Sequence, residues 1–315
     1  MTVPSIETRG LTRKFGSFTA LDHLDLKVEG GKCVGFLGPN GSGKTTTLKL
    51  LTAMIYPTEG ECYINDIPCH TDRTAALAGA GVLIESPEIY PSLTPNEALE
   101  MVEDVRGIPR DEWKGRIETV LAEVRMSDWA DKKVGKFSKG MKQRVNIAAA
   151  LVHDPPVVLL DEPSTGLDPR GMSEVRAILR ALKQTHRLIF MSSHLLSEVT
   201  EVCDEVALLD HGKLRFYDTL PNVVSRFGKD QGSVDVTFDH PVDPAAVRRI
   251  SGIPSDVTDI TPLGTSQVRI KFSGPSASKK LLLRILVDAD LGVVGFVESE
   301  SALEEIYLSQ ISRGE

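Results

Sequence analysis

The sequence has few cysteines and no excess of basic charge. Only four of the 315 residues are cysteine, and these are Cys33, Cys62, Cys69 and Cys203, with no CxxC pair among them. A disulfide framework or a zinc site needs a denser pattern, so we expect four reduced thiols. Lys and Arg number 36 against 44 Asp and Glu, which gives a net charge of −8. Because binding to the nucleic-acid backbone needs clustered basic residues, we expect no direct nucleic-acid partner.

Long hydrophobic runs are also missing. The longest uncharged apolar stretch covers 74–84 and ends at Glu85, and the run 147–160 is interrupted by His153 and Asp154. A membrane-spanning helix needs roughly 20 apolar residues. The N-terminal residues lack the basic and apolar segments of a signal peptide. We therefore expect a chain that stays in the cytoplasm.

Residues 1–222 carry the pattern of an α/β domain. Short apolar runs alternate with helical patterns from Cys33 to about Asp218, which predicts a largely parallel sheet. An antiparallel meander is expected before it, over residues 6–28, with Gly30-Gly31 as its turn. The helical patterns at about 88–153 predict a helical subdomain.

The pattern changes after a polar stretch at 223–232, which we interpret as a linker. Residues 233–315 then form a separate α+β domain in this interpretation. Its strand and helix patterns follow the order β-α-β-β-α-β, which is that of a ferredoxin-like unit, with one more helical pattern at 303–311. No catalytic cluster is evident in this part.

A glycine-rich loop lies between the apolar run Cys33–Leu37 and a helical pattern. It fits G-x-x-x-x-G-K-[ST], and its residues are Gly38, Pro39, Asn40, Gly41, Ser42, Gly43, Lys44 and Thr45, followed by Thr46. Glycines let successive backbone N–H groups turn inward around phosphate oxygens, and the helix start adds a positive dipole end. We expect Lys44 to bridge the β- and γ-phosphates of a nucleotide and the Thr45 hydroxyl to bind Mg²⁺.

Two acidic residues follow another buried strand pattern. Val157–Leu160 is apolar and leads directly into Asp161 and Glu162. A strand there delivers Asp161 beside the phosphate loop, where it can hold Mg²⁺ through water, and Glu162 can act as the general base on the attacking water.

Further motifs indicate the class of phosphate-loop protein. The stretch 137–144 places Ser138 at the start of a helix shortly before the acidic strand, and this placement resembles the signature sequence of ABC-type ATPases. The segment 164–168 matches the family's D-loop, which ends at Asp168. His194 matches its switch histidine, and Phe15 matches the aromatic residue that stacks on adenine. The resemblance covers about residues 3–220.

The resemblance implies that two such domains face each other and trap two ATP molecules. An ABC-type P-loop fold and an ATP-dependent homodimer are then expected. The signature residues Ser138, Lys139, Gly140 and Met141 would bind the γ-phosphate held by the opposite subunit. His194 would contact the γ-phosphate and support the attacking water.

Three positions depart from the usual family pattern. Lys139 and Met141 replace a glycine and a glutamine of the signature, and Glu85 stands where the family has a glutamine that reaches Mg²⁺. These changes resemble the antibiotic- and multidrug-exporter branch, of the bacitracin and lantibiotic-immunity type. The segment 301–308 also looks like the end of the accessory C-terminal domain in that branch.

The functions compatible with these motifs fall into three classes. The first is the ATP-hydrolysing subunit of an exporter, bound at the cytoplasmic face of the membrane to a permease on a separate chain. The second is an ABC-type ATPase acting on ribosomes or nucleic acid, which usually has a long coiled-coil insertion or two cassettes. A regulatory module without turnover is the third, and Glu162 argues against it. The exporter subunit explains the complete motif set.

Overall fold

The computed structural model describes residues 3–85, 89–227, 232–250, 252–272 and 276–298. It divides into two compact units, Met1–Asp218 and Thr219–Glu315. In chain order the first unit contains β1 (Ser5–Phe15), β2 (Phe18–Glu29), β3 (Cys33–Leu37), α1 (Lys44–Leu51), β4 (Glu59–Ile64), β5 (Ile67–Pro68), α2 (Arg73–Ala78), β6 (Ala80–Leu83), α3 (Pro95–Arg106), α4 (Arg110–Glu123), α5 (Lys139–Leu151), β7 (Val157–Asp161), α6 (Pro169–Leu182), β8 (Leu188–Ser193), α7 (Leu196–Val202), β9 (Glu205–Asp210) and β10 (Lys213–Thr219).

The N-terminal strands form an antiparallel sheet in the order β2-β1-β4-β5. The predicted turn at Gly30-Gly31 is wrong. The β1–β2 hairpin turns at Gly16-Ser17, where Phe15 pairs with Phe18 and Gly16 has a φ of 60°. Gly30-Gly31 instead connects β2 to β3. A Cβ on Gly31 would lie 2.5 Å from the carbonyl oxygen of His186, so that glycine permits a close approach of two backbone segments.

The second sheet has the order β10-β9-β3-β8-β7-β6, and its β3, β6, β7, β8 and β9 pair in parallel as predicted. Every residue of β3, β7 and β8 is buried, as expected for parallel strands covered on both faces. Leu37 pairs with Ser193, and Asp161 pairs with Ser192. The carboxyl ends of three neighbouring strands therefore meet at one edge, the usual place for a ligand in such sheets.

Helices α3, α4 and α5 form the helical part predicted at about 88–153. Helix α3 begins with a complete capping box. The Thr94 side chain accepts from the Glu97 N–H, and the Glu97 side chain accepts from the Thr94 N–H. This arrangement satisfies two of the N–H groups that a helix start leaves free.

The second unit contains α8 (Leu220–Phe227), β11 (Gly232–Phe238), α9 (Pro244–Arg248), β12 (Val257–Pro262), β13 (Gln267–Phe272), α10 (Ser276–Asp288) and β14 (Val293–Glu298). Its strands have the order β12-β13-β11-β14, and from β11 to β14 the elements follow the predicted β-α-β-β-α-β sequence. The structure differs at the expected linker, where α8 runs as far as Phe227. Residues 228–231, and the helix and segment expected within 301–311, lie outside the described residues.

No helix in the described part of the chain is long and apolar enough to cross a membrane.

One buried carboxyl group lies within the helical part. Glu103 of α3 has no exposed surface, and neither carboxylate oxygen has a hydrogen-bond partner among the described residues. Burial raises the pKa of Glu103 from 4.5 to about 7; Arg116 lowers this pKa, whereas Glu100 and Glu112 raise it. The charged form is therefore unfavourable in the folded chain.

We predict that Glu103→Met stabilises the protein increasingly as the pH rises. Between about pH 5 and pH 7 the folded chain holds a proton that the unfolded chain has released, so the wild type loses about 1.4 kcal/mol per pH unit there. The variant lacks this loss. Urea unfolding of both proteins across this range measures the difference, with Glu118→Met, at an exposed position of α4, as the control. If the difference in the free energy of unfolding between the wild type and Glu103→Met did not change with pH, the raised pKa of Glu103 would be contradicted.

Candidate nucleotide site

The phosphate loop connects β3 to α1 at the carboxyl edge of the parallel sheet. Gly43 precedes α1 with a φ of 109°, a conformation that side chains other than glycine resist. A Cβ on Gly38 would lie 2.3 Å from the carbonyl oxygen of Leu209. The Ser42 hydroxyl is buried and has no hydrogen-bond partner among the described residues. The backbone path and this free hydroxyl fit a bound anion.

Lys44 lies inside the loop with only 5% of its surface exposed. Its Nζ donates to the carbonyl oxygens of Gly38 at 2.8 Å and Pro39 at 3.1 Å, and it lies 3.7 Å from Oε1 of Glu162. Burial lowers the pKa of Lys44, although the charges of Glu162 and Asp161 oppose this shift. A buried ammonium held by two carbonyl oxygens is ready to exchange them for phosphate oxygens.

A set of oxygen atoms surrounds the end of β7. The Thr45 hydroxyl lies 3.2 Å from Oδ1 of Asp161. The Ser192 hydroxyl donates to the same Oδ1 at 2.6 Å and accepts from the Glu162 N–H at 2.9 Å. Hydroxyl and carboxylate oxygens are the ligands that Mg²⁺ prefers. Thr45 and Asp161 therefore fit the metal expected from the sequence.

Glu162 follows β7 with a positive φ of 44°. Its Oε2 accepts from the Thr165 hydroxyl at 2.8 Å and lies 3.1 Å from Nδ1 of His194. The loop that carries His194 is held in turn, because the Ser193 hydroxyl donates to the buried Glu198 at 2.6 Å. The base and the switch histidine predicted from the sequence are thus brought together.

Lys44, Thr45 and Glu162 open onto one cleft with a volume of about 240 Å³. Its lining consists of Phe15, Phe18, Ala20, Asn40, Gly41, Gly43, Lys44, Thr45, Thr46 and Glu162. The adenine-stacking residue, the phosphate loop and the base predicted from the sequence therefore share one cleft.

The structure places Glu85 elsewhere. Its carboxylate pairs with Nζ of Lys49, on α1, at 2.6 Å, and its side chain is 67% exposed. Glu85 is not among the residues that line the cleft. The structure pairs this carboxylate with a lysine, and its contact with Mg²⁺ stays a prediction from the resemblance.

The signature and the D-loop also lie outside the cleft lining. Ser138 caps α5, where its side chain accepts from the Met141 N–H, and Asp168 caps α6 by accepting from the Gly171 N–H at 2.8 Å. Lys139 is exposed and Met141 is half-buried. Within the described part of one chain, none of Ser138, Lys139, Gly140, Met141 and Asp168 lines the cleft.

Sequence reasoning missed three residues of the site. Ser192 joins Asp161 to Glu162, Gln143 donates to the carbonyl oxygen of Pro163 at 2.8 Å, and Phe18 lines the cleft. Ser192 lies near the end of β8, two residues before His194, and Phe18 follows Phe15 across a Gly-Ser turn. These positions could have indicated both residues. The contact of Gln143 depends on how α5 packs, which no sequence pattern reveals.

Comparison with known proteins agrees with the family resemblance seen in the sequence motifs. A family profile described as "ABC transporter" matches residues 21–165, and one described as "AAA domain, putative AbiEii toxin, Type IV TA system" matches residues 132–200. The bacitracin transport ATP-binding protein BcrA of Bacillus licheniformis is 41% identical over 210 residues, covering 66% of this chain and 68% of that protein. The chain belongs to the ABC transporter family. It is the ATP-binding and ATP-hydrolysing subunit, with the P-loop fold of this family.

Two further relatives agree with this assignment. The Nod factor export ATP-binding protein I of Ralstonia nicotianae is 34% identical over 212 residues, covering 67% of this chain and 65% of that protein. A dimeric ATP-binding cassette, solved in a post-hydrolysis state with ADP and Pi, superposes with a TM-score of 0.60 at 25% identity. That match covers 68% of this chain and 98% of the cassette.

Gly140 of the ABC signature allows two helices to approach closely. A Cβ at this position would lie 3.1 Å from Cα of Gly171 in α6, whereas a Cβ on Gly115, in α4, would meet nothing within 4 Å. We predict that Gly140→Ala stabilises the protein less than the same change at Gly115, or destabilises it, because α6 must move to admit the methyl group. The same change at Gly115 stabilises it by up to about 1 kcal/mol through helix propensity.

Urea unfolding of the two variants measures both effects. Equal and favourable changes in the free energy of unfolding would show that α5 and α6 do not meet at Gly140.

Proposed function

We propose that this chain powers an exporter, as a homodimer bound to a permease on a separate chain at the cytoplasmic face of the membrane. One observation carries the homodimer: Lys44, Thr45 and Glu162 line the cleft, with Asp161 in contact with Thr45, whereas the signature residues begin a helix outside its lining. A second copy would supply its signature to this cleft. The names of relatives that transport bacitracin and export Nod factor support export, as do Lys139 and Met141.

Each residue in the cleft has a defined role in this proposal. Lys44 and the N–H groups of the phosphate loop bind the β- and γ-phosphates of ATP, while Thr45 and Asp161 hold Mg²⁺. The bound Mg²⁺ neutralises charge on the phosphate oxygens. Glu162 accepts the proton of the attacking water as the water oxygen bonds to the γ-phosphorus, and the bond from that phosphorus to the bridging oxygen breaks to release ADP. His194, 3.1 Å from the Glu162 carboxylate, orients that water.

An apolar groove on the helical part is the proposed contact with the permease. Its lining includes Tyr90, Leu93, Met101, Val105 and Val145. Val105 is 87% exposed, Tyr90 67% and Met101 50%. Large apolar side chains exposed together favour a protein contact. In this proposal the permease binds the groove with a segment of its own chain.

We predict that Glu162→Gln binds ATP but loses at least about 99% of its hydrolysis, because a general base contributes roughly 10²–10⁴-fold. The variant should therefore stay in the ATP-bound state and remain bound to the permease. Tagged Glu162→Gln is purified from detergent-solubilised membranes of its own host with Mg·ATP, and co-purifying proteins are identified by mass spectrometry. A stoichiometric polytopic membrane protein supports the proposal.

A groove variant controls this experiment. Val105→Glu, added to Glu162→Gln, should lose the membrane protein and keep ATP binding, because a carboxylate is unfavourable in an apolar contact. Recovery of Glu162→Gln only in the soluble fraction with ribosomes or DNA-repair proteins would contradict the exporter assignment.

The pair between Glu85 and Lys49 generates a second test. We predict that Glu85→Gln keeps basal hydrolysis but changes its stimulation by the permease, because it removes one charge of the ion pair between α1 and the loop after β6. Lys49→Met breaks the same pair and should change the stimulation in the same direction. ATPase assays of the reconstituted complex measure both. Unchanged stimulation in the two variants would contradict a coupling role for the pair.

A further inference from the structure

A lysine-rich segment leads from α4 into α5. Residues 127–142 contain five lysines against two aspartates, although the whole chain has a net charge of −8. One of these aspartates, Asp131, accepts from the side-chain amide of Asn96 at 2.9 Å. Lysines elsewhere in the first unit lie in ion pairs, as Lys27 does with Glu29. Within the described residues, no carboxylate forms an ion pair with any of the five. All five are exposed, and they are Lys132, Lys133, Lys136, Lys139 and Lys142.

A backbone hydrogen bond holds this segment against the apolar groove of the helical part. The N–H of Val134, a buried residue, donates to the carbonyl oxygen of Leu93 at 2.9 Å, and Leu93 lines the groove. Lys133 directly precedes Val134, and Lys136 follows two residues later. These exposed lysines therefore lie at the rim of the surface that we assign to the permease.

A partly exposed tryptophan lies beside the lysines. Trp129 is 38% exposed, and its ring packs edge-on against Phe137 with the centroids 5.8 Å apart. Nζ of Lys132 lies 4.1 Å from the centroid of the Trp129 ring, within cation–π distance. Tryptophan is enriched at the level of the lipid headgroups, and lysines there are attracted to anionic lipids. The two residue types together are typical of a surface that meets a membrane.

We propose that Lys132, Lys133 and Lys136, which we name the lysine patch, bind anionic lipid headgroups of the cytoplasmic leaflet beside the permease, with Trp129 at their edge. This inference rests on the proposed position of the chain at the membrane. Lysines without a local carboxylate suit a fluid layer of phosphates, which needs no fixed partner. At an ionic strength of about 0.1 M, charges more than about 10 Å from the lipid are largely screened. The acidic remainder of the chain therefore does not cancel the attraction of the patch.

Cosedimentation with lipid vesicles tests the patch without any permease. Vesicles of phosphatidylcholine alone are compared with vesicles of equal parts phosphatidylcholine and phosphatidylglycerol, which is anionic. The wild type should bind the anionic vesicles in preference, and added salt should release it. Lys132→Gln, Lys133→Gln and Lys136→Gln combined should weaken this binding by about 5-fold for each lysine removed, the equivalent of 1 kcal/mol each.

The matched control removes the same charge from exposed lysines of β1, β2 and β10. Lys14→Gln, Lys27→Gln and Lys213→Gln combined should bind the anionic vesicles as the wild type does. Urea unfolding checks that both triple variants are folded.

Two results would overturn the inference: wild-type binding that does not depend on phosphatidylglycerol, or equal losses in the two triple variants. If the wild type ignored the vesicles and the patch variant failed to co-purify the permease, an acidic segment of the permease would be the partner instead. Because the vesicles contain no permease, co-purification with Glu162→Gln tests the proposed function separately.

Discussion

The nucleotide cleft depends on three neighbouring parallel strands that end at one edge of a sheet. Strand β3 leads into the phosphate loop, β7 ends at Asp161, and β8 ends at Ser193. The Ser192 hydroxyl then holds the acidic residues in place, because it donates to Asp161 and accepts from the Glu162 N–H. Buried strands cannot slide without exposing apolar surface. The positions of the lysine and the acids are therefore fixed by the core.

In the proposed homodimer, the second copy completes each site. Ser138 and Asp168 cap helices on the outside of the cleft, and close packing at Gly140 and Gly171 sets the spacing of those helices. One chain thus holds the phosphate-binding half of a site and, elsewhere, the signature. In this proposal, closure of two copies on ATP completes both sites and moves the apolar groove, which lies on the same helical part as α5.

Much of this arrangement could be predicted from the sequence, since Lys44, Asp161 and Glu162 belong to motifs that follow apolar strand patterns. The sheet and the order of elements in the second unit follow from periodicity. Contacts between side chains distant in sequence could not be predicted. Glu85 pairs with Lys49 across 36 positions, and Arg13 reaches the Tyr56 carbonyl across 43. The hairpin turn was predicted at Gly30-Gly31 and lies at Gly16-Ser17, because only the register of the two strands distinguishes these positions.

The measurement that tests the shared site most directly combines Glu162→Gln with Ser138→Arg and follows mass by analytical ultracentrifugation. Glu162→Gln alone should become a dimer when Mg·ATP is added. The double variant should bind ATP with the same affinity as monomeric Glu162→Gln, but it should remain a monomer when Mg·ATP is added. The reason is that the signature acts on the nucleotide of the opposite subunit. Loss of ATP binding by the monomer, or dimerisation that ignores Ser138→Arg, would contradict a site shared between two chains.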